Sequence, residues 1–267
     1  MRERILFERE IYTGSLILVN GEHPFRETFS GELAEVGRPG SGIQMERRAA
    51  ILLEELMAKL QGWEGIVPVS GWRSPAEQRA IWEDSMAAEG PEFTRKFVAR
   101  PGFSEHHTGL AIDLGERREK IDFICPGFPD QGICRRFARM AARYGFVLRY
   151  PAGKEAITGI AHEPWHFRYV GVPHALIMED RRLVLEEYLK LLRRHRWGKD
   201  PLFCRTQGME AEISFLPAEE RKAAWLAQKE DWPCSISGNN VDGFVITQWN
   251  GALLRSRLSQ GKERGVG

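Results

Sequence analysis

The sequence predicts an α+β fold, with helices and strands mixed irregularly along a chain of 267 residues. Three observations support this prediction. Stretches with apolar residues at helical spacing are interspersed with short runs of two-residue periodicity. No regular β–α–β repeat connects them, so a doubly wound parallel sheet is not expected. After Trp197 the character of the chain changes, and short strand-like runs bounded by Gly, Asn and Asp follow.

The first part of the chain predicts two strands and two helices. GSLILVNGEHPF, residues 14–25, is typical of a short strand and turn, and residues 45–62 form an amphipathic helix that ends at a glycine. IVPVSGWRS, residues 66–74, contains a short strand. Ser74 then caps a helix, because proline occupies the first helical position and Glu77 completes a capping box three residues after the cap.

The central part predicts further strands, separated by turns and helices. In SEHHTGLAID, residues 104–113, apolar residues alternate with others from Leu110 onward. The elements predicted here are strands from residue 110 and in 120–124, 146–150 and 164–170, an amphipathic helix in 132–145, and a helix, a break and a second helix in 173–197.

The domain organisation follows from the change in composition after Trp197. Residues 1–198 are predicted to form the main domain, and residues 199–267 a small β-rich subdomain. The strands of this subdomain are expected in AEISFL, CSISG and NVDGFVITQW.

Composition excludes several classes of function. The chain has 38 basic and 37 acidic residues and a formal net charge of +1, so no strong field for nucleic acid is expected. The N-terminal residues carry charges throughout and lack the apolar region of a secretory signal, and no run is long enough to span a bilayer. The four cysteines form no CxxC pair and are expected to be reduced thiols. A cytoplasmic location is the resulting expectation.

Asp113 is the first residue that indicates a specific chemistry. Leu110, Ile112 and Leu114 fall on one face of the predicted strand, whereas Ala111 and Asp113 fall on the other. Burying a carboxylate is unfavourable unless a partner compensates its charge. A metal ion is one such partner, and the chain should then supply further ligands.

A second cluster lies in AHEPWHFRYVG. His166 alternates with the aromatic residues around it and therefore points away from the aromatic face. On a regular strand Glu163, three residues earlier, would point to the opposite side. Pro164 cannot donate a hydrogen bond to a neighbouring strand, so we expect the strand to begin after it. Glu163 would then be able to turn toward the cavity that His166 faces.

These residue types fit hydrolysis by a metal-activated water. Two imidazoles and one carboxylate form a three-ligand catalytic zinc set. Zinc lowers the pKa of a water molecule toward neutrality, and a neighbouring glutamate can accept its proton and pass it to a leaving amine. A guanidinium can stabilise the oxyanion that develops at the attacked carbonyl. Arg73, between a strand and a capped helix, is suitably placed for this role.

Three blocks, SGWRSPAEQ, SEHHTGLAID and EPWHFRYVG, resemble in order and spacing the signatures of the zinc D-alanyl-D-alanine peptidases. This family includes VanX- and VanY-like enzymes, and the resemblance is strongest to the bifunctional VanXY type. It covers nearly the whole chain. It implies a small antiparallel sheet flanked by helices, as in the D-Ala-D-Ala peptidase and Hedgehog-like fold, with residues 1–198 as the catalytic domain.

The resemblance also assigns the site residue by residue. One Zn²⁺ per chain would be held by His106, Asp113 and His166. Glu163 matches the catalytic base, and Arg73 matches the residue that polarises the scissile carbonyl. Ser104 and Gln78 match positions that line the substrate pocket.

Some neighbouring residues allow alternative roles. His107 is either a hydrogen-bond partner behind the ligands or a residue that faces solvent or makes a structural bond. Cys125 and Cys134 are alternative ligands in principle, but small buried hydrophobic residues are the more common role of free cysteines.

The function implied by the resemblance is hydrolysis of the terminal D-Ala-D-Ala bond by metal-activated water. The substrates would be the free dipeptide, the pentapeptide end of a cell-wall precursor, or both, which would link the enzyme to glycopeptide resistance or peptidoglycan metabolism. One alternative is an L,D-carboxypeptidase that trims tetrapeptide stems. An alternative of another class is a non-catalytic module that binds stem peptides. Oligomeric state and the preference between dipeptide and pentapeptide stay open.

Overall fold

The computed structural model of the chain describes residues 6–26, 31–206, 208–219 and 232–250, and it has the predicted mixture of helices and antiparallel sheets. The helices are α1 (Arg47–Leu60), α2 (Pro75–Ala88), α3 (Gly90–Phe97), α4 (Gly132–Ala141), α5 (Glu155–Thr158), α6 (His174–Arg181) and α7 (Leu185–Leu192). The strands are β1 (Leu33–Glu35), β2 (Gln44–Glu46), β3 (Ile66–Ser70), β4 (Ala111–Glu116), β5 (Phe146–Tyr150), β6 (Glu163–Tyr169), β7 (Leu202–Thr206), β8 (Met209–Pro217), β9 (Cys234–Gly238) and β10 (Gly243–Trp249).

The chain divides into two compact units. One comprises Leu18–Glu186, and the other comprises Met1–Ile17 together with Glu187–Gly267. The sequence prediction assigned residues 6–17 and 187–198 to the main domain instead, and the predicted boundary at residue 198 stays a prediction. Residues 220–231 and 251–267 of the predicted β-rich subdomain lie outside the described part of the chain.

The unit Leu18–Glu186 is built on an antiparallel sheet with the strand order β3-β4-β6-β5. One face of this sheet is apolar, since Ile112 of β4 lies directly opposite Phe167 of β6. Both side chains belong to a core that also contains Leu53 of α1 and Phe137 of α4. The rings of Phe137 and Phe167 pack edge to face, with centroids 4.9 Å apart.

The opposite face of the same sheet is polar, although it too is buried. Asp113 of β4 lies between Ser70 of β3 and His166 of β6, and the three residues are direct cross-strand neighbours. Arg168 follows His166 by two positions and therefore lies on the same face. Because both faces of the sheet are buried, each polar residue on it must find a partner within the protein.

The second unit contains an antiparallel sheet with the order β7-β8-β10-β9. Phe244 and Ile246 of β10 form its core together with Leu216 of β8, and Leu6 and Ile11 from the N-terminal segment pack against them. A sheet was predicted in this part of the chain from its short strand-like runs, and this prediction is confirmed.

Most predicted elements are present. The capping box at the start of α2 is formed, because Ser74 Oγ accepts from the N–H of Glu77 and the Glu77 carboxylate accepts from the N–H of Ser74. Two predicted strands are wrong. Residues 14–25 are partly buried but form no strand, and the N–H of Leu16 bonds to a side chain, Ser237 Oγ. Residues 120–124 form a loop.

The loop at residues 120–124 has a local cause. Asp122 Oδ1 accepts from the N–H groups of Ile124 and Cys125, each at 2.8 Å, and thereby closes a turn. The side chains of Ile121 and Phe123 are exposed. Alternation alone was therefore an insufficient signal for a strand here. Helix α3 was not predicted.

The four cysteines, all within the described residues, form no disulfide bond. Within the described residues, no helix is long and apolar enough to cross a membrane.

Candidate metal centre and active-site cleft

Three buried side chains from distant parts of the chain meet on the polar face of the sheet. His106, Asp113 and His166 each offer one ligand atom, and these atoms lie within 4.8 Å of one another. Asp113 bridges the two imidazoles: Oδ2 lies 3.1 Å from His106 Nε2, and Oδ1 lies 2.9 Å from His166 Nδ1. The structure thus brings together the three residues that the sequence predicted as ligands.

His106 is held by a tight turn that enters β4. Residues Glu105–Thr108 form one turn of 3-10 helix, and Ser104 Oγ accepts from the N–H of His106 at 3.4 Å. His106 Nδ1 donates to the carbonyl of Gly71 at 2.7 Å, so its Nε2 lone pair faces Asp113. A carbonyl oxygen can only accept a hydrogen bond, and it therefore fixes this tautomer.

Gly71 supplies that carbonyl because its backbone lies unusually close to a neighbouring segment. A Cβ atom at this position would stand 2.2 Å from the carbonyl oxygen of Gln44, much closer than packed atoms come. Only glycine allows this approach. The short segment between β3 and α2 can therefore reach His106.

Glu163 and His166 share one side of β6 despite their spacing of three residues. β6 begins at Glu163 itself, so the prediction that the strand begins after Pro164 is wrong. Instead, the register between β5 and β6 shifts between the pairs Leu148–Phe167 and Tyr150–Glu163. This irregularity turns Glu163 toward the cavity, and its Oε2 lies 3.7 Å from His166 Nδ1.

Burial decides the direction of the pKa shift for two groups of the site, and charged neighbours decide it for two others. Burial raises the pKa of Glu163 to about 8 and lowers the pKa of His106 to about 4. Burial would also lower the pKa of His166, but the carboxylates of Asp113 and Glu105 raise it to about 9. The neighbouring imidazoles hold the pKa of Asp113 well below its ordinary value, against the effect of burial. Such perturbed groups in one cleft are typical of functional sites.

Arg73 reaches the same cluster from the end of β3. Its Nη2 donates to Asp113 Oδ2 at 2.8 Å, and its Nε donates to Ser70 Oγ at 2.6 Å. Its Nη1 donates to Gln78 Oε1 at 3.2 Å. The guanidinium is therefore oriented by three groups and held at the edge of the cavity, as the sequence predicted.

The two predicted pocket residues occupy different places. Ser104 lines the cleft beside His106. Gln78 is fully buried and supports Arg73, because its amide oxygen accepts from Arg73 and its nitrogen donates to the carbonyl of Ala99 at 2.8 Å. For Gln78 the contacts describe support of the guanidinium, and contact with substrate stays a prediction.

His107 is buried and makes structural bonds. Its Nδ1 donates to the carbonyl of Arg73 at 2.9 Å, and its Nε2 accepts from the N–H of Gly102 at 3.1 Å. Of the alternatives considered, exposure to solvent is therefore wrong. The ring connects the turn that carries His106 to the segment that carries Arg73.

A cluster of four charged residues that the sequence did not predict lies beside His166, and all but Glu186 are fully buried. Glu105 Oε1 accepts from Arg149 Nε and from Arg168 Nη1, each at 2.8 Å. Arg149 also makes two hydrogen bonds to Glu186, of 2.7 and 2.9 Å. The other oxygen of Glu105, Oε2, lies 3.4 Å from His166 Nε2. Arg149 and Arg168 lower the pKa of Glu105, although burial opposes them.

His106, Asp113 and His166 border a small cleft. Its polar part is formed by Arg73, Ser104, Glu105, His106, Asp113, Tyr150, Glu163 and His166. The remaining wall is mainly apolar and includes Ile81, Phe97, Val98, Phe123, Ile124, Ile160 and Trp165. A small cleft with an apolar wall and one polar cluster suits a compact ligand with both methyl and charged groups.

The donor set fits zinc. Two imidazole nitrogens and one carboxylate oxygen form a common catalytic zinc set that leaves a coordination position open. His106 Nε2 faces Asp113 and carries no proton in the tautomer that Gly71 fixes. His166 Nδ1 faces the same carboxylate, and its Nε2 faces Glu105. His106, Asp113 and His166 are therefore the residues that would hold the ion.

The comparisons with known proteins agree with this geometry. Residues 42–172 match the family model of VanY, D-alanyl-D-alanine carboxypeptidase. The chain is 40% identical over 176 residues to the bifunctional D-Ala-D-Ala dipeptidase and D-Ala-D-Ala carboxypeptidase VanXYC of Enterococcus gallinarum, covering 65% of this chain and 93% of that protein.

Solved structures match as well. The D,D-dipeptidase VanXYg in complex with a D-Ala-D-Ala phosphinate analogue matches with a TM-score of 0.89 and 43% identity, over 93% of this chain and 99% of that one. A variant of the D,D-pentapeptidase VanY from a VanB-type cassette, in complex with Zn(II), matches with a TM-score of 0.56 and 31% identity, over 66% and 98%. An L,D-carboxypeptidase DacB from Streptococcus pneumonia matches with a TM-score of 0.53 and 28% identity, over 70% of this chain and 95% of that one.

Proposed function

Since the chain belongs to the VanY family of D-alanyl-D-alanine carboxypeptidases, we propose that it hydrolyses the terminal D-Ala-D-Ala bond with the aid of one Zn²⁺ held by His106, Asp113 and His166. The observation that carries the proposal is the convergence of these three residues with Glu163 and Arg73 around one cleft. The substrates are the free dipeptide, the D-Ala-D-Ala end of a cell-wall precursor, or both. A role in glycopeptide resistance or peptidoglycan metabolism follows from that substrate class.

Zinc, when bound, supplies Lewis-acid chemistry: it lowers the pKa of a water molecule toward neutrality and polarises the carbonyl that the water attacks. Every other part of the reaction belongs to the side chains of this cleft. Glu163 accepts the proton of the attacking water on its carboxylate and then delivers it to the amine of the departing D-alanine. The burial of Glu163 and the distance of 3.7 Å between its Oε2 and His166 Nδ1 support this role.

Arg73 stabilises the negative charge that develops on the carbonyl oxygen of the scissile bond. Its hydrogen bonds to Ser70, Gln78 and Asp113 hold the guanidinium at the cleft before substrate arrives. Ser104 lines the cleft, and its hydroxyl group is suited to donate a hydrogen bond to the terminal carboxylate of the substrate.

The proposal is tested by incubating the zinc-loaded protein with D-Ala-D-Ala and with the precursor pentapeptide in parallel and measuring released D-alanine. Release from either substrate supports it. Release only from a tetrapeptide with an L-Lys-D-Ala end would instead identify an L,D-carboxypeptidase, an alternative that the weaker similarity to DacB supports less well. Binding of D-Ala-D-Ala with no release from any substrate would contradict a peptidase function.

The cytoplasmic location expected from the sequence stays a prediction. Immunodetection of the protein in separated cell fractions tests it: recovery with the cytoplasmic fraction is expected, and recovery with washed membranes or culture medium would contradict it.

A further inference from the structure

Glu105 stands next to His106 in the sequence, but its side chain is directed to the other ligand imidazole. On the 3-10 turn the two neighbouring side chains diverge: His106 turns to Asp113, and Glu105 turns to the far side of His166. Glu105 Oε2 lies 3.4 Å from His166 Nε2, while His166 Nδ1 lies 2.9 Å from Asp113 Oδ1. One imidazole is thus placed between a ligand carboxylate and a carboxylate that lies behind it.

The position of Glu105 is fixed by groups that take no other part in the site. Its Oε1 accepts from both Arg149 and Arg168, whose side chains are fully buried. Arg149 is held in turn by Glu186. Because two guanidinium groups occupy Oε1, the orientation of the carboxylate is determined, and Oε2 is the oxygen that faces His166.

From this arrangement we infer that Glu105 is a positioning residue, which keeps the proton of His166 on Nε2 so that the Nδ1 lone pair is directed at the metal. The inference rests on the proposed zinc site. A carboxylate behind a ligand imidazole fixes its tautomer and ring orientation and raises its basicity, and loss of such a partner typically lowers metal affinity about 10- to 100-fold. Gly71 performs the same task for His106 with a backbone carbonyl.

Glu105→Gln tests this role directly. In E105Q the amide oxygen is needed by the two arginines, so the amide NH₂ group faces His166 Nε2. An N–H donor at that place favours a lone pair on Nε2 and moves the ring proton to Nδ1, the nitrogen that the metal requires. We expect the dissociation constant for Zn²⁺ to rise about 10- to 100-fold.

Glu186→Gln is the control, because it removes one negative charge from the same cluster at a side chain that is only 14% exposed. Glu186 bonds to Arg149 and to Asn20, whereas the distance that defines the proposed role is between Glu105 and His166. We expect the E186Q variant to bind Zn²⁺ within about 3-fold of the parent protein. Zinc affinity is measured by competition with a chromophoric chelator, and the visible absorption spectrum of the Co²⁺-loaded proteins reports the ligand geometry.

Compared with the parent protein, E105Q should bind zinc more weakly and show an altered Co²⁺ spectrum. E186Q should resemble the parent in both measurements. Equal weakening in E105Q and E186Q would show that the cluster acts only through general stability and would overturn the inference, as would parental affinity in E105Q. If thermal unfolding of the metal-free proteins shows that E105Q does not fold, the same comparison is made between Glu105→Asp and Glu186→Asp. Failure of the parent protein to bind zinc would instead contradict the proposed function.

Discussion

Glu163 is predicted to support catalysis at the expense of stability, and Glu163→Gln separates the two effects. The pKa of Glu163 in the folded protein is about 8, against an ordinary value of 4.5, mainly because the carboxyl group is buried. A carboxyl group whose pKa is raised by folding destabilises the fold in its charged form. This destabilisation is absent below about pH 4.5, grows as the pH rises, and is complete above about pH 8.

The magnitude follows from the difference between the two pKa values. It corresponds to at most roughly 5 kcal/mol for the charged form. Glutamine has nearly the same shape and no charge, but its buried amide also loses hydrogen bonds to water, so we expect E163Q to recover about half of this free energy. At pH 8.5 the metal-free E163Q variant should then be about 2–3 kcal/mol more stable than the parent, which raises the Tm by several degrees in a protein of this size.

The assay is thermal unfolding of chelator-treated protein at pH 5 and pH 8.5, combined with turnover of the zinc-loaded enzyme at pH 8.5. At pH 5 the gain should be replaced by a loss of about 1–2 kcal/mol, because the parent carboxyl is then nearly neutral while the buried amide still lacks its hydrogen bonds to water. Turnover should fall about 10²- to 10⁴-fold because the proton acceptor is lost. Glu64→Gln, at an exposed glutamate, is the control and should change stability by less than about 0.5 kcal/mol at both pH values. An E163Q variant that is less stable than the parent at pH 8.5, or that retains full turnover, would refute the reasoning.

Three further predictions concern the surroundings of the site. His106→Gln should abolish zinc binding, whereas His107→Gln should retain zinc and most activity. Because the two hydrogen bonds of His107 are structural, His107→Gln should also lose about 1–2 kcal/mol of stability. Metal analysis and unfolding of both variants check these results. Arg73→Ala should lower kcat by about 10²- to 10³-fold with zinc content unchanged, and an unaltered kcat would contradict its role at the oxyanion. Ser74→Ala should lower the free energy of unfolding by about 1 kcal/mol through loss of the α2 cap, as measured by chemical denaturation. An unchanged free energy of unfolding would contradict this prediction.

Local patterns predicted part of the site, and the resemblance to the zinc D-alanyl-D-alanine peptidases supplied the rest, including the choice of His106 as a ligand. Alternation in β4 places Asp113 opposite an apolar row, and the capping box at Ser74 fixes where Arg73 must lie. Side-chain alternation likewise separates His166 from the aromatic face of β6. These signals span only a few residues each, so they are legible without knowledge of tertiary structure.

The charged cluster around Glu105 could not be read in the same way, because its partners are 37 to 63 residues apart in sequence and lie on separate elements. A signal was nevertheless present. Arg149 and Arg168 stand in strand-like, largely apolar runs, and buried arginines require acidic partners. The direction of Glu163 also depended on a register shift between β5 and β6, which arises from strand pairing and has no local sequence pattern.

The most direct test of the account is the zinc content of the parent protein and of Asp113→Asn after dialysis against metal-free buffer. Asp113 contacts both ligand imidazoles, so its carboxylate is the centre of the proposed site. We expect about one zinc per chain in the parent protein and almost none in D113N. A parent protein that carries no zinc yet hydrolyses D-Ala-D-Ala, or a D113N variant that retains a full complement of zinc, would contradict it.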